Sequence, residues 1–119
     1  MKSKVKNKFE ASIEKQLKKA KVSFKYESEK IAYVLAGHYT PDFIIQTSLG
    51  KLYIEAKGYF RPEAKRKMAA VKKQHPELDI RIIFYNKTQS NIKFAERYGF
   101  KYAFETIPEE WLQWQLNGT

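Results

Sequence analysis

The residues whose types and spacing can do chemistry are Asp42, Glu55 and Lys57. Glu55 and Lys57 flank Ala56, and residues two apart on a strand project from one face. A carboxylate and an ammonium are therefore held side by side. Asp42 follows Pro41 and heads the apolar run Phe43-Ile44-Ile45, which reads as a buried strand. Thr47-Ser48-Leu49-Gly50 reads as a hairpin loop, and the strand returning from it brings Glu55 toward Asp42. Two converging carboxylates suit a hard divalent cation, Mg²⁺ or its usual substitute Mn²⁺, and the Ala56 carbonyl is a further candidate oxygen. A cation held by Asp42, Glu55 and Ala56 can polarise a phosphate and lower the pKa of a bound water. Lys57 can orient that water or offset developing phosphoryl charge. It can act as a base only if its own pKa is depressed.

The charge balance favours a polyanionic partner, a nucleic acid or an anionic membrane surface. Lys and Arg number 23 against 13 Asp and Glu, a net charge of +10. A domain this basic has a polyanion as its natural partner, because neutralising phosphates releases counterions. The lysines and arginines concentrate just after the Glu55–Lys57 pair. Pro62 suits the first turn of a helix whose apolar face is Ala64, Met68 and Val71. Lys65, Arg66, Lys67, Lys72 and Lys73 make the rest of it basic. Charge runs are ordinarily solvated faces, but this one follows the catalytic candidates directly. We expect Arg61, Lys65, Arg66, Lys67 and Lys72 to contact a DNA backbone. His38 and His75 are isolated, and His75-Pro76 reads as a helix stop.

The absence of cysteine excludes disulfides, thiolate zinc sites and cysteine nucleophiles. The basic start, Met1 to Lys8, is followed by no apolar segment of the signal-peptide kind, and no stretch is long and apolar enough to span a bilayer. The expectation is a cytoplasmic protein with no membrane partner and no small-molecule cofactor.

The elements that must position these residues follow from periodicity. Phe9, Ile13, Leu17 and Ala20 form one stripe of a helix over residues 8–21. The period then drops to two at Val22, Phe24 and Tyr26, a strand. Ile31 to Leu35 is a second apolar run, and Ala36-Gly37-His38 reads as a turn or connector. On the strand Lys51–Lys57, Leu52, Ile54 and Ala56 form the apolar side, and Tyr53, Glu55 and Lys57 the other. Asp79–Tyr85 reads as a strand carrying Arg81. A helix near residues 89–98 ends at Gly99, Phe100–Phe104 is another strand, and Pro108 starts a last helix with Trp111 and Trp114. The two tryptophans read as core or interface residues rather than base-stacking platforms. The whole is a mixed α/β chain, one domain over residues 1–119, with a central mixed sheet flanked by helices. Glu10, beside the stripe of the first helix, reads from local pattern as a solvated helix-end carboxylate.

Each fragment is common alone. Together, Pro41-Asp42, twelve intervening residues and Glu55-x-Lys57 match the pattern of the PD-(D/E)xK nucleases, whose fold is restriction-endonuclease-like. The resemblance narrows further. The chain resembles the phage endonuclease I family of Holliday-junction resolvases in Glu10 with Gln16-Leu17, Phe24-Lys25-Tyr26-Glu27, Tyr33-Val34, and Tyr39-Thr40-Pro41-Asp42-Phe43. It does so again in Glu55-Ala56-Lys57-Gly58, in the run Gln74-His75-Pro76-Glu77-Leu78-Asp79-Ile80-Arg81-Ile82, and in Ile107-Pro108-Glu109-Glu110-Trp111. That resemblance implies catalytic roles for Glu10, Asp42, Glu55 and Lys57, which reverses the local reading of Glu10. It also implies a homodimer in which the N-terminal helix and strand are exchanged, so that Glu10 of one chain joins Asp42, Glu55 and Lys57 of the other. Two such sites suit a four-way junction, read by shape rather than by base sequence. The connector Leu35-Ala36-Gly37-His38 is shorter than in the family's best-known members. A nuclease or nickase with little branch preference is the alternative enzyme, and a non-catalytic DNA-binding module the alternative of another class.

Overall fold

The computed structural model describes residues 7–33 and 37–117, the last four as backbone. The elements are α1 (Lys8–Lys19), β1 (Phe24–Tyr26), β2 (Ile31–Tyr33), β3 (Gly37–Tyr39), β4 (Phe43–Thr47), β5 (Gly50–Lys57), α2 (Pro62–Gln74), β6 (Asp79–Phe84), α3 (Gln89–Tyr98), β7 (Lys101–Phe104) and α4 (Glu109–Asn117). Five strands form one mixed sheet in the order β1-β4-β5-β6-β7. β1, β4 and β5 run antiparallel in turn, while β5, β6 and β7 are parallel. Each parallel pair is joined through a helix, as parallel pairing requires.

Helices cover both faces of this sheet. Ile13, Leu17, Phe43, Ile45, Leu52, Ile54, Ile83 and Leu112 form one core, between the sheet and α1 with α4. Ile44, Tyr53, Met68, Val71, Ile80, Ile82, Phe84 and Phe94 form the other, under α2 and α3. Strands buried on both sides read as continuous apolar runs, which explains Ile82 to Phe84. Both sides of β5 are covered in this way: Tyr53 and Glu55 are buried, like Leu52 and Ile54 on the opposite side.

One expectation is corrected at Gly37 and His38, which read from sequence as a turn or connector. Gly37–Tyr39 is a strand paired antiparallel with Ile31–Tyr33, with Tyr33 opposite Gly37. A Cβ on Gly37 would sit 2.4 Å from the Tyr33 hydroxyl oxygen, so the bare glycine lets that ring lie across the hairpin. Val34, Leu35 and Ala36, the rest of the connector, lie outside the described residues.

Local signals set the helix ends. The Asn7 side chain caps α1 by accepting from the Glu10 N–H at 2.8 Å. Thr88 caps α3 in the same way through the Asn91 N–H, and Gly99 ends it at φ 75°, a conformation glycine adopts without steric cost. The Gln16 amide fixes α1 to the body, donating to the Ile107 carbonyl at 2.7 Å and accepting from the Ile107 N–H at 2.9 Å. Ile13 and Leu17 are fully buried beneath that tie. Each contributes about 1.5–3 kcal/mol of hydrophobic stabilisation, which holds the helix carrying Glu10 against the sheet.

Candidate active site

Antiparallel pairing places Tyr26 opposite Phe43, so Glu27 and Asp42, the next residues outward, face each other. The Glu27 N–H donates to the Asp42 carbonyl at 3.2 Å. Glu27 holds a left-handed backbone, φ 48°, which is uncommon for a residue with a side chain. The first turn of α1 comes down on this corner. Among the described residues, the carboxylate oxygens of Glu10, Glu27 and Asp42 lie within 4.8 Å of one another.

Glu10 is 6% exposed and Asp42 7% exposed, so the helix-end reading of Glu10 as a solvated carboxylate is corrected. Tyr26 donates its hydroxyl to Glu10 Oε1, and the Ala56 N–H donates to Asp42 Oδ2 at 2.8 Å. Ala56 thus anchors the Asp42 carboxylate through its N–H.

Glu55 stands on the neighbouring strand, one residue beyond the Phe43–Ile54 pair as Asp42 is on β4. Tyr39, on β3, donates to Glu55 Oε1 at 2.7 Å. The Lys57 ammonium lies 2.9 Å from Glu55 Oε2 and 5.9 Å from the Phe60 ring centroid. Both oxygens of Glu55 are therefore engaged, and Glu55 is not a member of the close carboxylate trio. Its charge still reaches Asp42. Burial, then the negative charge of Glu55, then a hydrogen bond with Glu10 push the Asp42 carboxyl up to about 9, against the opposing pull of the Ala56 N–H. Burial pushes Lys57 down, but the Glu55 carboxylate, the hydrogen bond to it, and the charges of Asp42 and Glu10 outweigh that and leave its pKa raised. These surroundings keep Lys57 a cation, and a general-base role gains nothing from them. Burial first, and the Glu55 charge second, raise the Tyr39 phenol well above its ordinary value, so it stays a donor.

Two expected outcomes follow. Below pH of about 3.8 Asp42 carries a proton in both the folded and unfolded chain; from there to about 9 only the folded chain holds it. In chelator, the thermal midpoint should therefore fall as pH rises from about 4 toward about 9 more steeply than in Asp42→Asn. Parallel curves for the two proteins would show that Asp42 is not crowded. Tyr39→Phe keeps the ring and removes one bond to a charged group, an interaction of about 1.5–3 kcal/mol. On the expectation of a cation-dependent nuclease, cleavage by Tyr39→Phe should slow about tenfold or more and need more divalent cation for half-maximal rate; unchanged cation dependence would refute a role for Tyr39 in orienting Glu55.

The basic residues divide. Lys65 and Arg66 line an open groove of about 770 Å³ between α2 and α3, with Lys93 and Arg97 on its far wall. Lys65 also bonds Ser90 at 2.7 Å. Arg61 is exposed and lies 5.4 Å over the Tyr59 ring. Lys67 is half-buried. Lys72 points elsewhere, 5.3 Å over the Phe100 ring at the C-terminal end of α2. His75 caps α2 and contacts the Ala32 carbonyl, as its reading as a helix stop anticipated. Trp111 packs on the core with Arg81 5.0 Å over its ring; the Trp114 side chain lies outside the described residues. Glu27, Tyr39, Lys93 and Arg97 were not picked out from sequence. Glu27 and Tyr39 do sit within the two stretches that carry the family resemblance, Phe24–Glu27 and Tyr39–Phe43, and that was the available signal.

Comparison with known proteins agrees with the motif. The chain matches the phage endonuclease I family over residues 2–118. It is 35% identical over 115 residues to Endonuclease I of Escherichia phage T7, covering 87% of this chain and 75% of that one. It is 33% identical over 110 residues to Endodeoxyribonuclease 1 of Enterobacteria phage T3, covering 83% and 70%.

Proposed function

Because the chain belongs to the phage endonuclease I family, we propose that it is an endodeoxyribonuclease that cuts branched DNA, four-way junctions above all, with Mg²⁺ or Mn²⁺ as its cofactor. The observation that carries the metal is the crowding of Glu10, Glu27 and Asp42. Three carboxylates drawn together until Asp42 rises to about 9 are a donor set that fits a hard divalent cation, which takes oxygen ligands. Asp42 would hold it with Glu10 and Glu27, and Glu55 would join once freed from Tyr39 or Lys57. A cation there supplies charge to polarise the scissile phosphate and to acidify a water.

The chain's own residues do the rest. The Ala56 N–H fixes the Asp42 carboxylate, and the Tyr26 hydroxyl fixes Glu10. Lys57, kept cationic, offsets negative charge that grows on the phosphoryl oxygens. Arg61, Lys65, Arg66 and Lys67 hold backbone phosphates beside the site, and Lys72 extends the basic face of α2 at its far end. No helix among the described residues is long and apolar enough to cross a membrane.

The homodimer belongs to the same proposal. In this structure Glu10 approaches Asp42 of its own chain, through a helix tied to Ile107. Exchange of α1 and β1 between two chains would rebuild the same site from both. Mixing Glu10→Gln with Asp42→Asn protein distinguishes the two arrangements. An exchanged dimer recovers one intact site per heterodimer, and cleavage returns; an unexchanged chain recovers none. Junction selectivity is tested by Mg²⁺-dependent cleavage of a labelled four-way junction beside a linear duplex of the same sequence. Paired symmetric cuts on the junction support a resolvase. Equal nicking of both substrates favours the less selective nuclease, and metal-independent binding without cutting favours a binding module.

A further inference from the structure

Beside the carboxylates lies a groove that neither the fold nor the catalytic machinery accounts for. It has a volume of about 430 Å³ and is lined by Lys8, Phe9, Ser12, Gly58 and Tyr85. That is within the range of about 300–1,000 Å³ in which ligand pockets fall. Its position is set by chain connectivity: Phe9 immediately precedes Glu10, and Gly58 immediately follows Lys57. The Tyr85 N–H donates to the Lys57 carbonyl at 2.8 Å, which seats Tyr85 at the ends of β5 and β6 beside the site.

Two features call for a partner. Tyr85 is 58% exposed, one of only three large apolar side chains so exposed among the described residues. Its ring meets Phe9 edge-on at 5.6 Å between centroids, which orients it and leaves it open to solvent. Gly58 forms the floor, and the fold does not need glycine there. Its φ is outside the left-handed range, and an added Cβ would find no heavy atom within 4 Å. The bare backbone therefore leaves space that no part of the described protein fills. An oriented aromatic face, a lysine and an uncluttered stretch of backbone, one residue along the chain from Glu10 and from Lys57, match one ligand chemistry. An aromatic takes the face of a base, and the lysine takes a phosphate.

We propose that this groove holds one unstacked nucleotide of the strand being cut, adjacent to the scissile phosphate, with its base against Tyr85 and its phosphate toward Lys8. The proposal rests on the nuclease reading above and adds the requirement for a base out of its stack. That requirement favours positions where a base leaves its stack at least cost, mismatched or single-stranded ones above all.

The test is single-turnover cleavage of four-way junctions that carry one abasic nucleotide, placed in turn at each position flanking the cut. With the unsubstituted protein, one position should raise the half-saturating protein concentration about tenfold. Tyr85→Ala should raise it about tenfold on intact DNA and lose all sensitivity to that same abasic position. Tyr85→Phe, which keeps the ring, should behave like the unsubstituted chain. Gly58→Val, which fills the floor, should mimic Tyr85→Ala. Unchanged melting of each variant separates these effects from misfolding. Half-saturation of Tyr85→Ala within twofold of the unsubstituted protein, or an abasic penalty that persists in it, would overturn the proposal. If the unsubstituted protein cuts no DNA at all, the nuclease reading itself falls, and this inference with it.

Discussion

Asp42→Asn and Glu55→Gln should each lower cleavage of a four-way junction by about a thousandfold or more while leaving the protein–junction complex intact. The magnitude is that of removing an essential charge from a preorganised phosphoryl-transfer site, roughly 4 kcal/mol or more of transition-state stabilisation. Both substitutions keep shape. An amide oxygen at position 42 can still accept from the Ala56 N–H, and one at position 55 can still accept from Tyr39. What goes is an ionisable carboxyl, in a corner where Glu10, Glu27 and Asp42 crowd one another and the Glu55 charge bears on Asp42. In chelator Asp42→Asn should therefore be no less stable than the unsubstituted chain, and more stable at pH of about 8, where only the folded chain still holds the Asp42 proton. Loss of cutting with retained fold and binding is measured by gel cleavage, electrophoretic shift and thermal melting together. Full activity in either variant would refute the assignment of the site.

The second large effect is at Lys57. Lys57→Met should slow cleavage about a hundred- to a thousandfold, with Lys57→Arg recovering part of the loss. The ammonium is kept protonated by Glu55, Asp42 and Glu10, so it contributes charge rather than proton abstraction. That distinction is measurable. A general base would impose its own titration on the pH–rate profile, whereas a fixed cation removes rate at every pH alike. Lys57→Met also leaves buried Glu55 without its ion partner, so the variant should melt earlier, and rates belong well below its midpoint. A profile whose shape changes in Lys57→Met, with the rate preserved at one end of the pH range, would sink the electrostatic role.

Several properties of this protein were legible in local sequence, because they depend on local physics. Helix and strand periods, the proline at the start of α2, the glycine after α3 and the apolar runs of β4 and β6 involve neighbours only. The Asp42 and Glu55-x-Lys57 spacing predicted a shared corner because a tight hairpin leaves two strands few registers, and Thr47 does pair with Gly50. Other properties were decided by tertiary structure, since they arise from elements distant in the chain. Glu10 looked solvated because nothing within α1 shows that its first turn is pressed onto Asp42; the Gln16–Ile107 tie across 91 residues and the burial of Ile13 and Leu17 against the sheet do that. Glu27 joined the site through the β1–β4 pairing, and its left-handed turn has no signature in a residue type that rarely adopts it. Tyr39 reached Glu55 because Gly37–Tyr39 is a strand rather than a turn. Lys93 and Arg97 joined the α2 cations only because α3 packs beside α2. The sequence by itself determined the basic charge balance and the spacing of Asp42 from Glu55-x-Lys57, since charge and spacing are written in it. Which carboxylates crowd one another, and which one is held by a tyrosine and a lysine, was decided by long-range packing, because burial and approach are properties of the assembled sheet and helices.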